Sequence, residues 1–297
     1  MTIAAPDKRF LVAIRGKGHK PPLFLVHSLA GELTWLPHLA HRIDAARPIY
    51  GFAAPGLNVK ASFFGSLEGM ASAYLAALRS VQPGGPYLFG GYSFGGIVAY
   101  EMARQAAQAG DQIGKLILID SYTPDTSVMS ALRRWVGDGI LILSVCNTLA
   151  TEWGATALLE PSALPNGDPN AQVDIATRHL LAHCSVPHTH EAVRNLLEKC
   201  HQVMRVHTAM LAAYDPSSPA DFHDTILIQN TLGFISDTNA LRLPLAPGLT
   251  QPGDHGWRRY LRVPPQIIGV DAEHFLIMKP PAIAEVARII DQHLFVR

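Results

Sequence analysis

The sequence predicts an α/β fold, a mostly parallel central sheet flanked by helices and interrupted by a large helical insertion, and three observations predict it. Strand and helix signals alternate from Phe10 to Ile119. The run Lys115 to Ile119 is almost continuously apolar, as a central parallel strand covered on both faces must be. Strand signals return at Thr225 to Gln229 and at Gln266 to Val270, after a long stretch of helical character only.

Taken in order, Phe10 to Ile14 and Leu23 to Val26 are apolar runs joined by a Gly/Pro/Lys turn and read as a hairpin. Pro48 to Phe52 is the next strand and ends near Pro55-Gly56. From Ser66 the period turns helical, with Leu67, Met70, Ala71, Tyr74, Leu75 and Leu78 on one face, until Pro83-Gly84-Gly85-Pro86 stops it. Tyr87 to Phe89 is a strand that runs into glycines. A helix follows over Phe94 to Gln108, with Gly110 as its C-terminal stop. Beyond Asp120, Met129 to Leu149 and His190 to Tyr214 read as helices among Pro- and Gly-rich links, and Ile283 to Leu294 is the final helix. Because the sheet resumes afterwards, residues 126–220 read as a lid inserted within a single domain spanning 1–297. An insertion at the C-terminal edge of such a sheet is where binding sites concentrate.

Bulk properties narrow the function classes. The 297 residues are 48% hydrophobic and 16% charged, too apolar for a disordered chain and sufficient for a sizeable core. Lys+Arg and Asp+Glu balance at 24 each, which removes the electrostatic reason to expect nucleic acid or an anionic membrane as partner. Cys146, Cys184 and Cys200 are odd in number, lack paired spacing and read as free thiols in a reducing compartment. The N-terminal residues do not resemble a signal peptide, and the apolar stretch Ile140 to Val145 is far too short to span a bilayer. The expectation is a soluble cytoplasmic protein whose oligomeric state is open, a dimer included.

The sharpest motif is Gly91-Tyr92-Ser93-Phe94-Gly95, with Gly90 before it and Gly96 after it. It follows an apolar strand and opens a helix, the context of a nucleophile elbow in the α/β-hydrolase fold. Side chains at the flanking glycines would collide with neighbouring strand and helix, and the tight turn lifts the Ser93 hydroxyl over the sheet edge. A serine nucleophile needs a base, and the base needs an orienting acid, in the chain order Ser, acid, His. His274 is the expected base, on the loop Asp271-Ala272-Glu273-His274-Phe275 after the last strand. With 14 histidines in the chain, placement and not number singles it out. Asp120, one helix and one strand after Ser93, is the preferred acid, and Asp237, in a loop beyond Thr225 to Gln229, is the alternative. The oxyanion needs two backbone donors. Phe94 N–H is the first, and the loop His27-Ser28-Leu29-Ala30-Gly31 supplies the second, Ala30 being preferred and Leu29 the alternative.

These residues carry a family resemblance. Pro22-Leu23-Phe24-Leu25-Val26-His27 with Gly31, the run Ile49 to Leu57, Gly90 to Gly96, Leu116-Ile117-Leu118-Ile119-Asp120, and His274-Phe275 with Met278 together resemble the thioesterase domains that end modular polyketide synthases and nonribosomal peptide synthetases. The resemblance covers nearly the whole sheet portion and leaves the lid unmatched. It implies that Ser93, Asp120 and His274 form a triad. It implies further that an acyl or peptidyl chain arrives as a thioester on the phosphopantetheine arm of a carrier protein, passes to Ser93 as an oxyester, and leaves as an acid or a ring. Neither a metal nor an organic cofactor is expected. The long stretch from Asp120 to Thr225 and the Gly-Tyr-Ser-Phe-Gly elbow are more similar to the chain-terminating group than to free-standing editing thioesterases.

Other signals have blander readings. His179 and His183, four apart on a helix and followed by His188 and His190, lack the accompanying residues of a zinc motif and read as polar lid surface. Leu141, Leu143, Val145 and Leu149 form an apolar face that either packs the lid or walls an acyl site. Trp35, Trp135, Trp153 and Trp257 read as core, and His201 and His207 suggest no chemistry. A carboxylesterase would use the same triad on a simple oxyester. A catalytically dead binding module on the same fold usually lacks the serine or the histidine, and both are present here.

Overall fold

The computed structural model describes residues 8–57, 61–126, 129–130, 139–185, 188–216, 218–233 and 253–294. Seven strands run in chain order as β1 (Leu11–Arg15), β2 (Leu23–Val26), β3 (Ile49–Phe52), β4 (Tyr87–Tyr92), β5 (Ile113–Ile119), β6 (Thr225–Asn230) and β7 (Gln266–Val270). They form one sheet in the spatial order β1-β3-β2-β4-β5-β6-β7. Neighbouring strands are parallel throughout, except β1 against β3.

Side-chain alternation splits the core into two layers. Phe24 and Val26 of β2 join the cluster that includes α2 (Leu67–Arg79) and α3 (Phe94–Gln108). Leu23 and Leu25 join the opposite cluster, with α1 (Leu36–Ala40) and α7 (Ala282–His293). Helix α2 starts where sequence periodicity places it, because the Ser66 hydroxyl accepts from Gly69 N–H at 3.1 Å and caps the first turn.

The expected hairpin of the first two strands does not form. β2 is buried along its whole length and uses both edges for parallel partners, β3 and β4. The half-exposed β1 is therefore displaced to the outer edge of β3, and Arg15 anchors its end there. The guanidinium donates to the carbonyls of Arg47, Ala40, Ile43 and Asp44 at 2.7–3.2 Å.

Between β5 and β6 the described helices are α4 (Ile140–Glu152), α5 (Pro169–His183) and α6 (His190–Ala213). The expected helix from Met129 lies partly outside the described residues, over 131–138, as does Trp135. Helix α5 opens with Pro169 and an Asp168 cap that accepts from Asn170 and Ala171 at 3.0 and 3.1 Å. A buried polar node ties this segment to the sheet layer. Glu101 of α3 accepts from Arg104 and Gln105 on its own helix and from the Tyr214 hydroxyl just past α6, the last at 2.8 Å. Cys146, Cys184 and Cys200 are free and buried. Among the described residues no helix is long and apolar enough to cross a membrane.

Candidate active site

The turn from β4 into α3 holds Ser93 at φ 55° and ψ −119°, a conformation that any residue with a β-carbon resists. Its neighbours leave no room for side chains. A β-carbon on Gly91 would lie 2.1 Å from the Gly95 carbonyl carbon, and one on Gly95 would lie 2.5 Å from the carbonyl oxygens of Val26 and His27. Ser93 N–H donates to Ile119 O at 2.8 Å, which fastens the turn to the end of β5.

Ser93 Oγ stands 3.0 Å from His274 Nε2, and His274 Nδ1 stands 2.7 Å from Asp120 Oδ2. His274 comes from the loop after β7, where the Tyr92 hydroxyl donates to its carbonyl at 2.8 Å. Asp120 closes β5 and is fully buried. Burial acts to raise its pKa, but the hydrogen bond and charge of His274, reinforced by His255 and Asn230, outweigh it and hold the carboxyl below its ordinary range. An ionised carboxylate only accepts, so Nδ1 of His274 carries the proton and Nε2 is free to accept from the Ser93 hydroxyl.

The carboxylate is held by residues that sequence reasoning missed. Asn230, the last residue of β6, donates its backbone N–H to Oδ1 at 3.0 Å and its side-chain amide to Oδ2 at 2.6 Å. The Tyr122 hydroxyl lies 3.3 Å from Oδ1. His255 stacks on Tyr122 at 4.0 Å, with Nδ1 3.8 Å from Oδ1, and burial lowers its pKa despite the nearby carboxylate. For Asn230 a signal existed: a polar residue ends an apolar strand at the same sheet edge as Asp120. For Tyr122 and His255 no spacing points to the site. The alternative acid, Asp237, lies outside the described residues.

A cavity of about 330 Å³ opens above the serine, lined by Ser93, His274, Leu29 and Ala30 and walled by helices α4 and α6. Leu141, Val145 and Leu149 line it, whereas Leu143 is buried away from it, so that apolar face divides between wall and packing. Trp35 and Trp153 also line it. Trp257 is core, its indole N–H donating to Ser121 O at 2.8 Å. Phe94 is the first residue of α3, where an N–H has no intrahelical acceptor. The Ala30 N–H has no partner among the described residues. Away from the cavity, the rings of His179 and His183 lie tilted with centroids 4.5 Å apart and bond to Ala157 O and the Thr156 hydroxyl at 3.0 and 3.2 Å, respectively. No group of three or more metal-ligating side chains occurs among the described residues.

The model of the thioesterase domain family matches residues 21–294. Among curated proteins the chain is similar to an atromentin synthetase of Tapinella panuoides, 34% identical over 148 residues, covering 50% of this chain and 15% of that protein. It is also similar to the non-reducing polyketide synthase PKS16 of Cladonia grayi, 43% identical over 119 residues, covering 40% of this chain and 6% of that protein. The matches thus span only a small part of these relatives. Among solved structures it resembles a four-domain nonribosomal peptide synthetase bound to AMP and glycine, with a TM-score of 0.71 at 22% identity over 97% of this chain and 20% of that one. It also resembles the NocB thioesterase domain in covalent complex with a fluorophosphonate nocardicin G analogue, with a TM-score of 0.62 at 20% identity over 96% of this chain and 99% of that one. At these identities the structural likeness speaks to fold, and the fold is that of the α/β-hydrolase thioesterase domains.

Proposed function

The chain belongs to the thioesterase domain family, and we propose that it is a chain-releasing serine thioesterase acting on an acyl or peptidyl chain tethered to the phosphopantetheine of a carrier protein. The observation that carries this reading is the Ser93–His274–Asp120 relay, with contacts of 3.0 and 2.7 Å, facing an apolar cavity. In the proposed reaction Ser93 Oγ attacks the thioester carbonyl while His274 Nε2 takes its proton. The C–S bond then breaks, and His274 returns the proton to the departing sulfur. Asp120 holds the imidazole in the required tautomer and stabilises its charged form. The N–H groups of Phe94 and Ala30 receive the oxyanion. The acyl-Ser93 ester is then attacked by water, or by a hydroxyl or amine of the chain itself, with His274 as base.

In this reading 1–297 is one domain, and residues 126–220 form a lid whose helices α4 and α6 wall the acyl site. Free buried thiols fit a reducing compartment, and we assign the protein to the cytoplasm on that basis. Intact-mass spectrometry with a panel of acyl-N-acetylcysteamine thioesters tests the reaction. The expected result is an acyl adduct on the wild type and none on Ser93→Ala, with acid or cyclic product in the same tube. Absence of adduct and of turnover across short, long and polar chains would reject the thioesterase reading. Faster turnover of simple oxyesters than of any thioester would favour a carboxylesterase.

A further inference from the structure

A second cluster of buried rings adjoins the relay and takes no part in the proton transfers. His207 of α6 is fully buried. Its imidazole stacks on Phe94 at 4.5 Å with 10° between planes, and on His27 at 5.0 Å with 14°. Its Nδ1 lies 2.8 Å from Leu29 O. A carbonyl only accepts, so Nδ1 carries the proton and Nε2 is left a bare acceptor. That Nε2 is buried and has no hydrogen-bond partner among the described residues. A leucine or phenylalanine would fill this space without burying an unmet polar atom, so what the position gains from histidine is the N–H offered to Leu29.

Leu29 C=O and Ala30 N–H belong to one planar trans peptide, in which they point in opposite directions. A hydrogen bond on the carbonyl therefore sets the direction of the amide. We propose that His207 is a positioning residue of the oxyanion hole: by donating to Leu29 O while packing on Phe94, it aligns both backbone donors, Ala30 N–H and Phe94 N–H. The inference rests on the thioesterase reading of Ser93 and gives the segment between β5 and β6 a part in the chemical step. Burial keeps the imidazole neutral, its pKa pushed down to about 3, so the single Nδ1–H donor persists across working pH. His27 holds the preceding peptide independently, with Nδ1 donating to Ser28 O at 2.7 Å and Nε2 accepting from the Tyr74 hydroxyl at 2.9 Å.

The test compares wild type, His207→Phe, His207→Asn and Ser93→Ala on one acyl-N-acetylcysteamine substrate. Phenylalanine keeps the ring against Phe94 but has no donor, whereas asparagine places an amide N–H where Nδ1 stands. His207→Phe is expected to lower kcat about 10–100-fold with KM within about twofold, and His207→Asn to recover most of the loss. The rate of Ser93 labelling by a fluorophosphonate should fall and recover in step. Equal losses in the two His207 variants, or a His207→Phe kcat within about twofold of wild type, would overturn the assignment in favour of packing alone. If His207→Phe does not fold, the nitrogen NMR spectrum of the wild type decides: a neutral Nδ1–H tautomer between about pH 5 and 8 is expected, and an Nε2–H tautomer overturns the proposal. Turnover surviving in Ser93→Ala would sink the reading of the whole site. Complete loss there beside an unimpaired His207→Phe would sink only the role of His207.

Discussion

At the turn bearing Ser93, a β-carbon on Gly91 would fall 2.1 Å from the backbone of Gly95, and nothing there can move without breaking the sheet. On the cavity wall, Leu141, Val145 and Leu149 border the cavity on one side and pack against the hydrophobic core on the other. The first region is held by backbone sterics and by hydrogen bonds to the adjacent strand. The second is held by apolar packing, which accepts side chains of similar volume. Under the proposed function, this difference assigns the reaction type to the rigid sheet edge and the choice of acyl chain to the helices that cover it. His207 joins the two, since it stands on a covering helix and grips the Leu29 carbonyl at 2.8 Å.

The contrast is sharpened most by removing the rigid machinery. Ser93→Ala should lower thioester turnover by about 10⁴-fold or more, and Asp120→Asn by about 10³–10⁴-fold, with both variants still folded. Steady-state kinetics with circular dichroism checks this, and an active Asp120→Asn would return the acid to Asp237. Gly95→Ala should destabilise the fold by about 3 kcal/mol or more, because the added carbon meets two carbonyl oxygens that cannot retreat. A melting temperature near wild type would show that the elbow yields to an added β-carbon. Asn230→Ala removes a donor at 2.6 Å from a buried carboxylate and should cost about 1.5–3 kcal/mol of stability by urea titration.

Variants of the cover should behave differently. Leu141→Ala and Leu149→Ala are expected to shift KM for long acyl chains about 3–10-fold and to leave kcat within about twofold, since they alter binding common to ground and transition states. If kcat collapsed as in Asp120→Asn, the division between reaction and selection would fail. The last effect concerns pH. Burial lowers the pKa of His27 to about 4 and of His207 to about 3, from 6.5. Below 6.5 the unfolded chain takes up protons that the folded chain refuses, so stability falls with pH through the window from 6.5 down to about 4. Each histidine contributes a slope of up to about 1.4 kcal/mol per pH unit. Urea titrations across this window should show a shallower slope in His207→Phe, and an unchanged slope would mean that His207 titrates normally.

Much of the fold was legible because its rules are local. The Phe94 to Gln108 helix and the strand at Gln266 to Val270 stand where periodicity and glycine punctuation put them. The same holds for the helix from His190, whose Thr189 cap accepts from Ala192 N–H at 3.2 Å. The pairing of β1 was not legible, because adjacency in sequence suggested β2, and only the competition of β3 and β4 for the edges of β2 excluded it. Asn230 was signalled only as a polar residue ending an apolar strand, and its role as a carboxylate clamp was hidden because its contact with Asp120 spans 110 residues of chain.

Local sequence specified the elbow, its serine and the strand-end positions of Asp120 and His274, because five residues of steric constraint and two strand ends suffice for that, while it left the acid open between Asp120 and Asp237. Long-range packing set which carbonyl His207 holds, that of Leu29, 178 residues away in the chain, and which leucines of α4 face the cavity. The reason is physical. A tight turn is selected by atoms a few bonds apart, whereas the register of a helix against a distant loop is set by the packing of every surface between them.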